Sequence, residues 1–180
     1  MKYIGVILLV WFAANRAGQD TYVCKNAVVT LYSKAPIEDI DARSDKGTSV
    51  LNTATGDVAF SVPIRSFKFD KALMQEHFNE NYMESDKYPQ ATFKGKLTSK
   101  PDLSKDGTYP VTASGVFETH GVRQARTVPG TITVANGAIT LNSEFMVACK
   151  DHRIDIPKLV FQNIAETIKI KVTAAYMPYK

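Results

Sequence analysis

The sequence predicts an all-β fold: an antiparallel up-and-down β-barrel of about eight strands with one inserted amphipathic α-helix. Two observations predict it. Apolar and polar residues alternate over most of the chain, a pattern typical of strands with one buried face and one wet face. Turn sequences separate these runs at short intervals, which favours sequential hairpins and a closed barrel over a sandwich.

The first stretch of the chain, residues 1–18, is predicted to be a signal peptide. Lys2 precedes an apolar run, Ile4–Ala14, that is shorter than the roughly 20 residues of a membrane span. A buried N-terminal helix is the alternative, but no other part of the chain has helical periodicity long enough to pack on it. We therefore expect residues 19–180 to form one barrel domain, periplasmic or secreted, with no stable membrane anchor after cleavage.

The charge of the chain does not indicate a nucleic-acid partner. The full chain carries 22 basic and 18 acidic residues, a net charge of +4, and removal of Lys2 and Arg16 leaves 20 and 18, or +2. The basic residues are not gathered into a block with interleaved aromatic residues, as a nucleic-acid surface would require.

Strands are predicted wherever the alternation is regular. It is clearest at 139–147, 168–176 and 58–64. After Ile64 the apolar phase slips by one residue, to Phe67 and Phe69, which indicates a bulge near Arg65-Ser66. Further strands are predicted at Tyr22–Ser33, Ile37–Val50, Ala91–Ser99, Tyr109–Thr119 and Arg126–Val134. The turns between strands are predicted at Thr55-Gly56-Asp57, Asp106-Gly107, His120-Gly121 and Asn136-Gly137.

The segment Asp70–Tyr82 has helical spacing. Leu73, Met74, Phe78 and Tyr82 recur at three- and four-residue steps, which predicts one amphipathic helix with Asp70 as its cap. A second, shorter helical turn is predicted at Pro157–Ala165.

The barrel is predicted to be hollow because small residues recur among large ones on the inward faces, as at Ala113, Gly115 and Gly130. The alternative is that these glycines mark bends. A cavity with almost no inward charge would hold an apolar guest with a small polar end. Its predicted apolar lining is Phe60, Phe67, Leu73, Phe78, Tyr82, Phe93, Phe117, Ile132 and Phe145. Polar contacts at the mouth are predicted for His77 and His120.

Two motifs carry a family resemblance. Glu76–Phe93 reads EHFNENYMESDKYPQATF and Gly115–Val122 reads GVFETHGV. In this order and spacing they resemble the YceI-like proteins, bacterial periplasmic or secreted lipocalin-like barrels, and the likeness extends from Tyr22 to Tyr176. The resemblance implies an elongated barrel that binds an isoprenoid or other long-chain lipid along its axis, as a carrier or sequestering protein. Glu118 and Cys149 depart from the family pattern.

The two cysteines leave two interpretations open. Cys24 and Cys149 lie 125 positions apart (149 minus 24). An oxidising compartment would permit a disulfide between them, and two buried free thiols are the equal alternative. Neither cysteine is expected to be a lipid-attachment site, because bulky residues precede Cys24.

Catalysis is not expected. His77, His120 and His152 show no metal-ligand spacing, and no Gly-x-Ser-x-Gly motif is present, so we predict no metal and no cofactor. The expected partner is an apolar small molecule, and the oligomeric state stays open, a homodimer included. The enzymatic alternative is a metal-dependent or nucleophilic hydrolase that uses His77 and His120. The third alternative is a solid-cored protein-interaction module.

Overall fold

The computed structural model describes residues 20–34, 38–156 and 164–179. The strands are β1 Thr21–Lys34, β2 Asp39–Asn52, β3 Asp57–Pro63, β4 Lys68–Phe69, β5 Gln90–Leu97, β6 Gly107–Thr119, β7 Val122–Ala135, β8 Ala138–Ala148 and β9 Thr167–Pro178. The helical elements are a 3₁₀ turn Ile64–Ser66, the α-helix α1 Ala72–His77, a π turn Phe78–Tyr82 and a 3₁₀ turn Cys149–His152.

The strands form one closed antiparallel barrel. Their order around it is β1-β9-β8-β7-β6-β5-β3-β2, and β1 pairs with β2 to complete the ring. The short strand β4 pairs with β2 beside β3, and α1 lies between β4 and β5 in the chain. The predicted eight-stranded antiparallel barrel with one inserted helix is confirmed.

Two tight hairpins follow directly from local chemistry. In the β7–β8 turn Asn136 and Gly137 have φ of 50° and 76°, and in the β6–β7 turn His120 and Gly121 have φ of 50° and 69°. A two-residue turn with two positive φ values matches the right-handed twist of the flanking strands. The strand pairs on either side therefore begin immediately, at Ala135 with Ala138 and at Thr119 with Val122.

The two ends of the barrel are filled differently. At the packed end, where β1 begins and β9 ends, one apolar cluster fills the interior, and Leu51 and Ile132 in it are 0% exposed. Its buried members are Cys24, Ala27, Leu51, Val58, Leu97, Val111, Ile132, Val134, Ile139, Ala174 and Tyr176. At the hollow end, where β1 ends and β9 begins, a smaller cluster of Val29, Ala42, Val62 and Phe67 packs against Phe78 of the π turn.

The prediction of a bulge near Arg65-Ser66 was wrong. A 3₁₀ turn, Ile64–Ser66, ends β3 there, and the chain then re-pairs with another part of β2 through Phe69 and Ala42. The irregular register lies in β1 around Ala27 instead. Ala27 pairs with Gly47, where an added Cβ would lie 2.8 Å from the carbonyl oxygen of Ala27, so the close approach requires glycine.

The helical segment is shorter than predicted and begins differently. The α-helix covers Ala72–His77 and continues as the π turn to Tyr82, and its N-cap is Lys71, with no side-chain cap bond, so the predicted cap Asp70 was wrong. The predicted signal peptide, Ile37 and nearly all of the predicted turn at Pro157–Ala165 lie outside the described residues. No helix among the described residues is long and apolar enough to cross a membrane.

Candidate functional site

A cavity of about 600 Å³ occupies the barrel interior above the packed end. Every barrel strand contributes to its lining, together with α1 and the π turn. The lining includes Phe60, Phe67, Leu73, Phe78, Tyr82, Phe93, Phe117 and Phe145, all of them predicted from the sequence. The barrel is therefore hollow, and the solid-cored alternative does not describe it.

Ile132, the remaining predicted lining residue, lies elsewhere. It is 0% exposed in the packed end and is not among the residues that line the cavity. Inward residues of β7 nearer the hollow end, such as Val128 and Gly130, reach the cavity instead. Alternation shows that Ile132 faces inward, but it does not show how deep along the barrel axis the residue lies.

The small inward residues divide between the two explanations considered. Ala91, Ala113 and Gly130 line the cavity and leave room for a guest. Gly95 and Gly115 pair with each other where β5 and β6 approach closely, and an added Cβ at Gly115 would lie 2.4 Å from the Cα of Gly95. These two glycines therefore permit strand contact and do not create the cavity.

The lining is almost wholly apolar, and its charged groups stand at the hollow end. Glu38 and Lys71 line the cavity as an ion pair, with 2.5 Å between Lys71 Nζ and Glu38 Oε1. Leu73 of α1 also lines it and is 61% exposed, so it lies at the rim. Because the two charges compensate each other, the cavity favours an uncharged guest.

One buried polar pair stands on the cavity wall next to the packed end. Ser49 Oγ donates to the carbonyl oxygen of Ala59 at 2.9 Å and accepts from the Tyr176 hydroxyl at 2.7 Å. Burial raises the pKa of Tyr176 to about 12. Both hydroxyl groups are satisfied within the protein, so this wall does not need a polar group from the guest.

The helical segment is held against the barrel by aromatic contacts. The Phe78 ring lies 4.9 Å from the Phe69 ring and 5.8 Å from the Phe67 ring, measured between centroids. Tyr82, one turn further on, also lines the cavity, and burial raises the pKa of its hydroxyl. These contacts position the helical segment as one wall of the cavity.

The two histidines predicted at the mouth have different surroundings. His77 lines the cavity and is exposed, whereas His120 is not among the lining residues. His120 Nδ1 donates to the carbonyl oxygen of His152 at 3.0 Å, its Nε2 lies 2.9 Å from Glu84 Oε2, and its ring packs on Tyr88. Among the described residues no group of three or more His, Cys, Asp or Glu side chains could hold a metal ion.

The bridge that the sequence left open between Cys24 and Cys149 does not form in the structure. Both thiols are free and buried. Cys24 lies in the packed end, whereas Cys149 follows β8 at the hollow end and lines the cavity. The two positions belong to opposite ends of the barrel, and burial raises the pKa of the Cys149 thiol to about 11.

The sequence interpretation missed part of the lining. Ile154, Ile156 and Ile164, from the connection between β8 and β9, contribute to the cavity. The alternation of Ile154 and Ile156 beyond the last residue of β8 was the available signal, although the segment forms no strand there.

Comparisons with known proteins agree with the fold. The family model of the YceI-like domain matches residues 26–176. A polyisoprenoid binding domain from Saccharophagus degradans implicated in plant cell wall breakdown has a TM-score of 0.74 at 14% identity, covering 88% of this chain and 98% of that chain. BcnA from Burkholderia cenocepacia has a TM-score of 0.71 at 15% identity, covering 84% and 96%.

A YCEI protein from Campylobacter jejuni has a TM-score of 0.64 at 14% identity, covering 80% of this chain and 87% of that chain. At these identities the likeness to solved structures shows the fold alone. No curated protein sequence matches this chain.

Proposed function

Because this chain belongs to the YceI-like family, we propose that it is a non-enzymatic binding protein that holds one uncharged, long-chain apolar molecule in its barrel. The observation that carries this proposal is the cavity of about 600 Å³ with an apolar lining and compensated charges. Protein interiors are otherwise close-packed, so a space of this size is costly unless a guest fills it. The solved domain from Saccharophagus degradans is named for polyisoprenoid binding, which favours an isoprenoid or similar lipid.

The cavity volume sets the size of the guest. An apolar cavity of about 150 Å³ holds one benzene ring. By the same measure, a cavity of about 600 Å³ has room for about four such rings, or some 20–25 carbon atoms. An isoprenoid chain of about four or five units fills it, and a longer chain extends beyond the barrel.

We propose that the protein acts outside the cytoplasm, as a carrier or a sequestering protein. The apolar run Ile4–Ala14 after Lys2 supports a signal peptide at residues 1–18. An isoprenoid or lipid chain has very low solubility in water, so a barrel that surrounds it provides transport or storage in an aqueous compartment.

The guest can be identified directly. Organic extraction of protein purified from its native compartment, followed by mass spectrometry, is expected to recover one dominant apolar molecule. Delipidated protein titrated with a series of isoprenoid alcohols should bind more tightly with each added unit, since each buried CH₂ contributes about 0.8 kcal/mol before ordering costs. The affinity should level off near four or five units. Recovery of no apolar molecule, together with no affinity for any member of the series, would contradict the proposal.

A pair of tryptophan variants separates cavity binding from binding to the outer surface. Ala113→Trp places a large ring in the cavity, whereas Ala125 is exposed on the outer face of β7, so Ala125→Trp leaves the cavity unchanged. The first variant should lose binding of the C20 alcohol at least tenfold, and the second should keep it. Equal affinities for the two variants would place the guest outside the barrel.

A further inference from the structure

The hydrogen-bond ladder between β7 and β8 is incomplete near the hollow end. The two strands pair only from Gly130 with Ser143 to Ala135 with Ala138. Beyond that, Val122–Pro129 of β7 and Glu144–Ala148 of β8 have no ladder partner in each other. We call these two unpaired stretches the seam.

The seam is a break between two otherwise intact parts of the sheet. Along the edge of β7 that faces away from the seam, β7 pairs with β6 from Val122 to Val134, so the half of β7 that β8 leaves unpaired is fully paired with β6. Along the corresponding edge of β8, β8 pairs with β9 from Ile139 to Ala148. Both stretches are therefore regular strand, and the missing pairing does not reflect frayed strand ends.

Side chains replace the ladder across the seam. Arg126 Nη1 donates to the carbonyl oxygen of Met146 at 2.8 Å, and Nη2 lies 3.3 Å from Asp151 Oδ2. Gln124 Nε2 donates to the carbonyl oxygen of Asp151 at 3.0 Å. Arg126 and Gln124 occupy the same face of β7 as Val128, which lines the cavity, and the Arg126 side chain is only 20% exposed. Arg126 thus spans the break from the inner face.

The seam lies directly on the cavity. Val128, Pro129, Gly130, Ser143, Phe145 and Val147 line the cavity along it. On the outside, a groove of about 380 Å³ covers the point where the ladder ends. Pro129, Gly130, Ser143 and Val172 line both the groove and the cavity, so very little protein separates them there.

Opening the seam breaks no backbone hydrogen bonds between β7 and β8. The ladder also has a gap at the hollow end between β2 and β3, but there Ile64 and Phe67 fill it and are each 2% exposed. Separation at that gap would expose core residues. Separation at the seam breaks no β7–β8 ladder bonds, but it breaks the side-chain bonds of Arg126 and Gln124 and the bond that the buried His152 donates from Nδ1 to the carbonyl oxygen of Val122 at 3.2 Å. It would also expose part of Val147, which is 6% exposed. Each such hydrogen bond shifts an equilibrium by about threefold to tenfold.

We propose that the seam is a side entrance to the cavity, that Arg126 holds it closed, and that the outer groove receives the polar end of the guest. The inference rests on the proposed binding function. Glu144 in the groove pairs with Lys169 at 3.2 Å and with Lys171 at 3.3 Å. The groove's own lining holds one charge of each sign, Glu144 and Lys171, so it suits a neutral hydrogen-bonding end such as a hydroxyl or carbonyl group, with Thr131 and Asn142 also in its lining.

Exchange kinetics of an uncharged fluorophore test this inference. Stopped-flow measurements with N-phenyl-1-naphthylamine should show that Arg126→Ala raises both the association and the dissociation rate about fivefold to tenfold, since the bonds to Met146 and Asp151 are lost. The equilibrium affinity should stay within twofold. Arg126→Lys, which keeps the charge but not the fork of donors, should be intermediate.

Arg123 supplies the matched control. It lies on the same strand, its side chain is 71% exposed, and it faces outward to Glu118 at 3.8 Å. Arg123→Ala removes the same charge but no bond between β7 and β8, so it should leave both rates unchanged.

A disulfide across the seam tests the inference in the opposite direction. Thr127→Cys/Met146→Cys puts cysteines at the positions that would face each other if the β7–β8 register continued past Gly130 and Ser143. A disulfide there requires the two strands to close on each other, so the oxidised protein should exchange the fluorophore at least tenfold more slowly and recover on reduction. Thr133 and Thr140 are already paired in the ladder, and a disulfide there should not change the rates.

The outcomes distinguish the two proposals. If the fluorophore binds but neither Arg126→Ala nor the seam disulfide changes its exchange rates, the side entrance is overturned and the binding function stands. If the wild-type protein binds neither the fluorophore nor the isoprenoid alcohols, the binding function fails and the side entrance with it.

Discussion

The packed end and the hollow end of the barrel are built from the same strands, yet one is filled and the other holds a cavity. At the packed end, Leu51 and Ile132 belong to one apolar cluster and are fully buried. At the hollow end, Val128 on the same strand as Ile132 faces empty space. The alternating pattern decides which residues face inward, but it does not decide whether they touch.

What differs is how the wall is closed. Near the packed end, the tight Asn136-Gly137 turn holds β7 and β8 in register from their first pair. At the hollow end the ladder has two gaps: the one beside β3 is filled by the apolar Phe67, and the seam is bridged by the polar Arg126. The strand ladder is therefore incomplete at this end, and the two gaps are closed by side chains of different polarity.

The sharpest test of the comparison is a truncation at each end of β7. Ile132→Ala should lower the free energy of unfolding by about 2–5 kcal/mol, because it opens a void in close-packed surroundings. Val128→Ala should cost only about 1–2 kcal/mol, since its side chain already borders open space. Urea denaturation measures both, and fluorophore affinity should change only for Val128→Ala. Equal losses of stability would mean that the packed end is not close-packed.

The alkaline stability of the packed end depends on Tyr176. Its pKa is about 12 in the folded protein against 10.0 as the ordinary value, because the buried phenolate is disfavoured. A raised folded pKa means that this stability is complete below pH 10 and is lost as the pH rises to 12, by about 2–3 kcal/mol. Tyr176→Phe should lack this loss over that interval in urea denaturation. An identical alkaline limb in the variant would contradict it.

The labelling rates of the two cysteines should distinguish the two ends of the barrel. N-phenylmaleimide, a small apolar reagent, should reach Cys149 through the cavity but not Cys24 in the packed end. With a pKa of about 11, Cys149 carries only about one thiolate in a thousand at pH 8, so labelling should be slow. A bound isoprenoid alcohol should protect Cys149, as peptide mapping by mass spectrometry would show. Labelling of Cys24 at the same rate in the folded protein would erase the distinction.

The smallest effect is expected at the hollow end, for the two histidines. His120→Gln should lower the free energy of unfolding by about 1 kcal/mol through its lost bonds to Glu84 and His152, with fluorophore affinity unchanged. His77→Gln should leave stability unchanged, because His77 is exposed at the rim. A loss of fluorophore affinity in His120→Gln would mean that His120 contacts the guest at the cavity mouth, as the sequence interpretation predicted.

The sequence was sufficient for the barrel and for most of the cavity lining, and the reason is local. Alternation sets the direction of a side chain at once, so Phe93 and Phe145 could be placed inward without any knowledge of their neighbours. The turn residues at Asn136-Gly137 similarly fix a hairpin by their own backbone preferences.

The rest depends on contacts between distant parts of the chain. Ile132 and Val128 have the same pattern around them, and only the three-dimensional register separates the packed end from the cavity. His120 follows a recognisable hairpin, but its partner Glu84 belongs to another part of the chain. Arg126 sits at an inward position of a regular strand, and nothing local shows that its strand is unpaired there.

The seam also bears on how the protein avoids self-association. A fully paired barrel has no free strand edges. Within β7 and β8, the described residues that could pair with another chain are therefore the unpaired stretches of the seam. Two features oppose such pairing: Pro129 lacks a backbone N–H, and the Arg126 guanidinium occupies the carbonyl oxygen of Met146. Arg126, which we propose holds the seam closed, thereby also blocks a strand edge that could pair with another chain. Its loss would favour aggregation during folding as well as faster guest exchange.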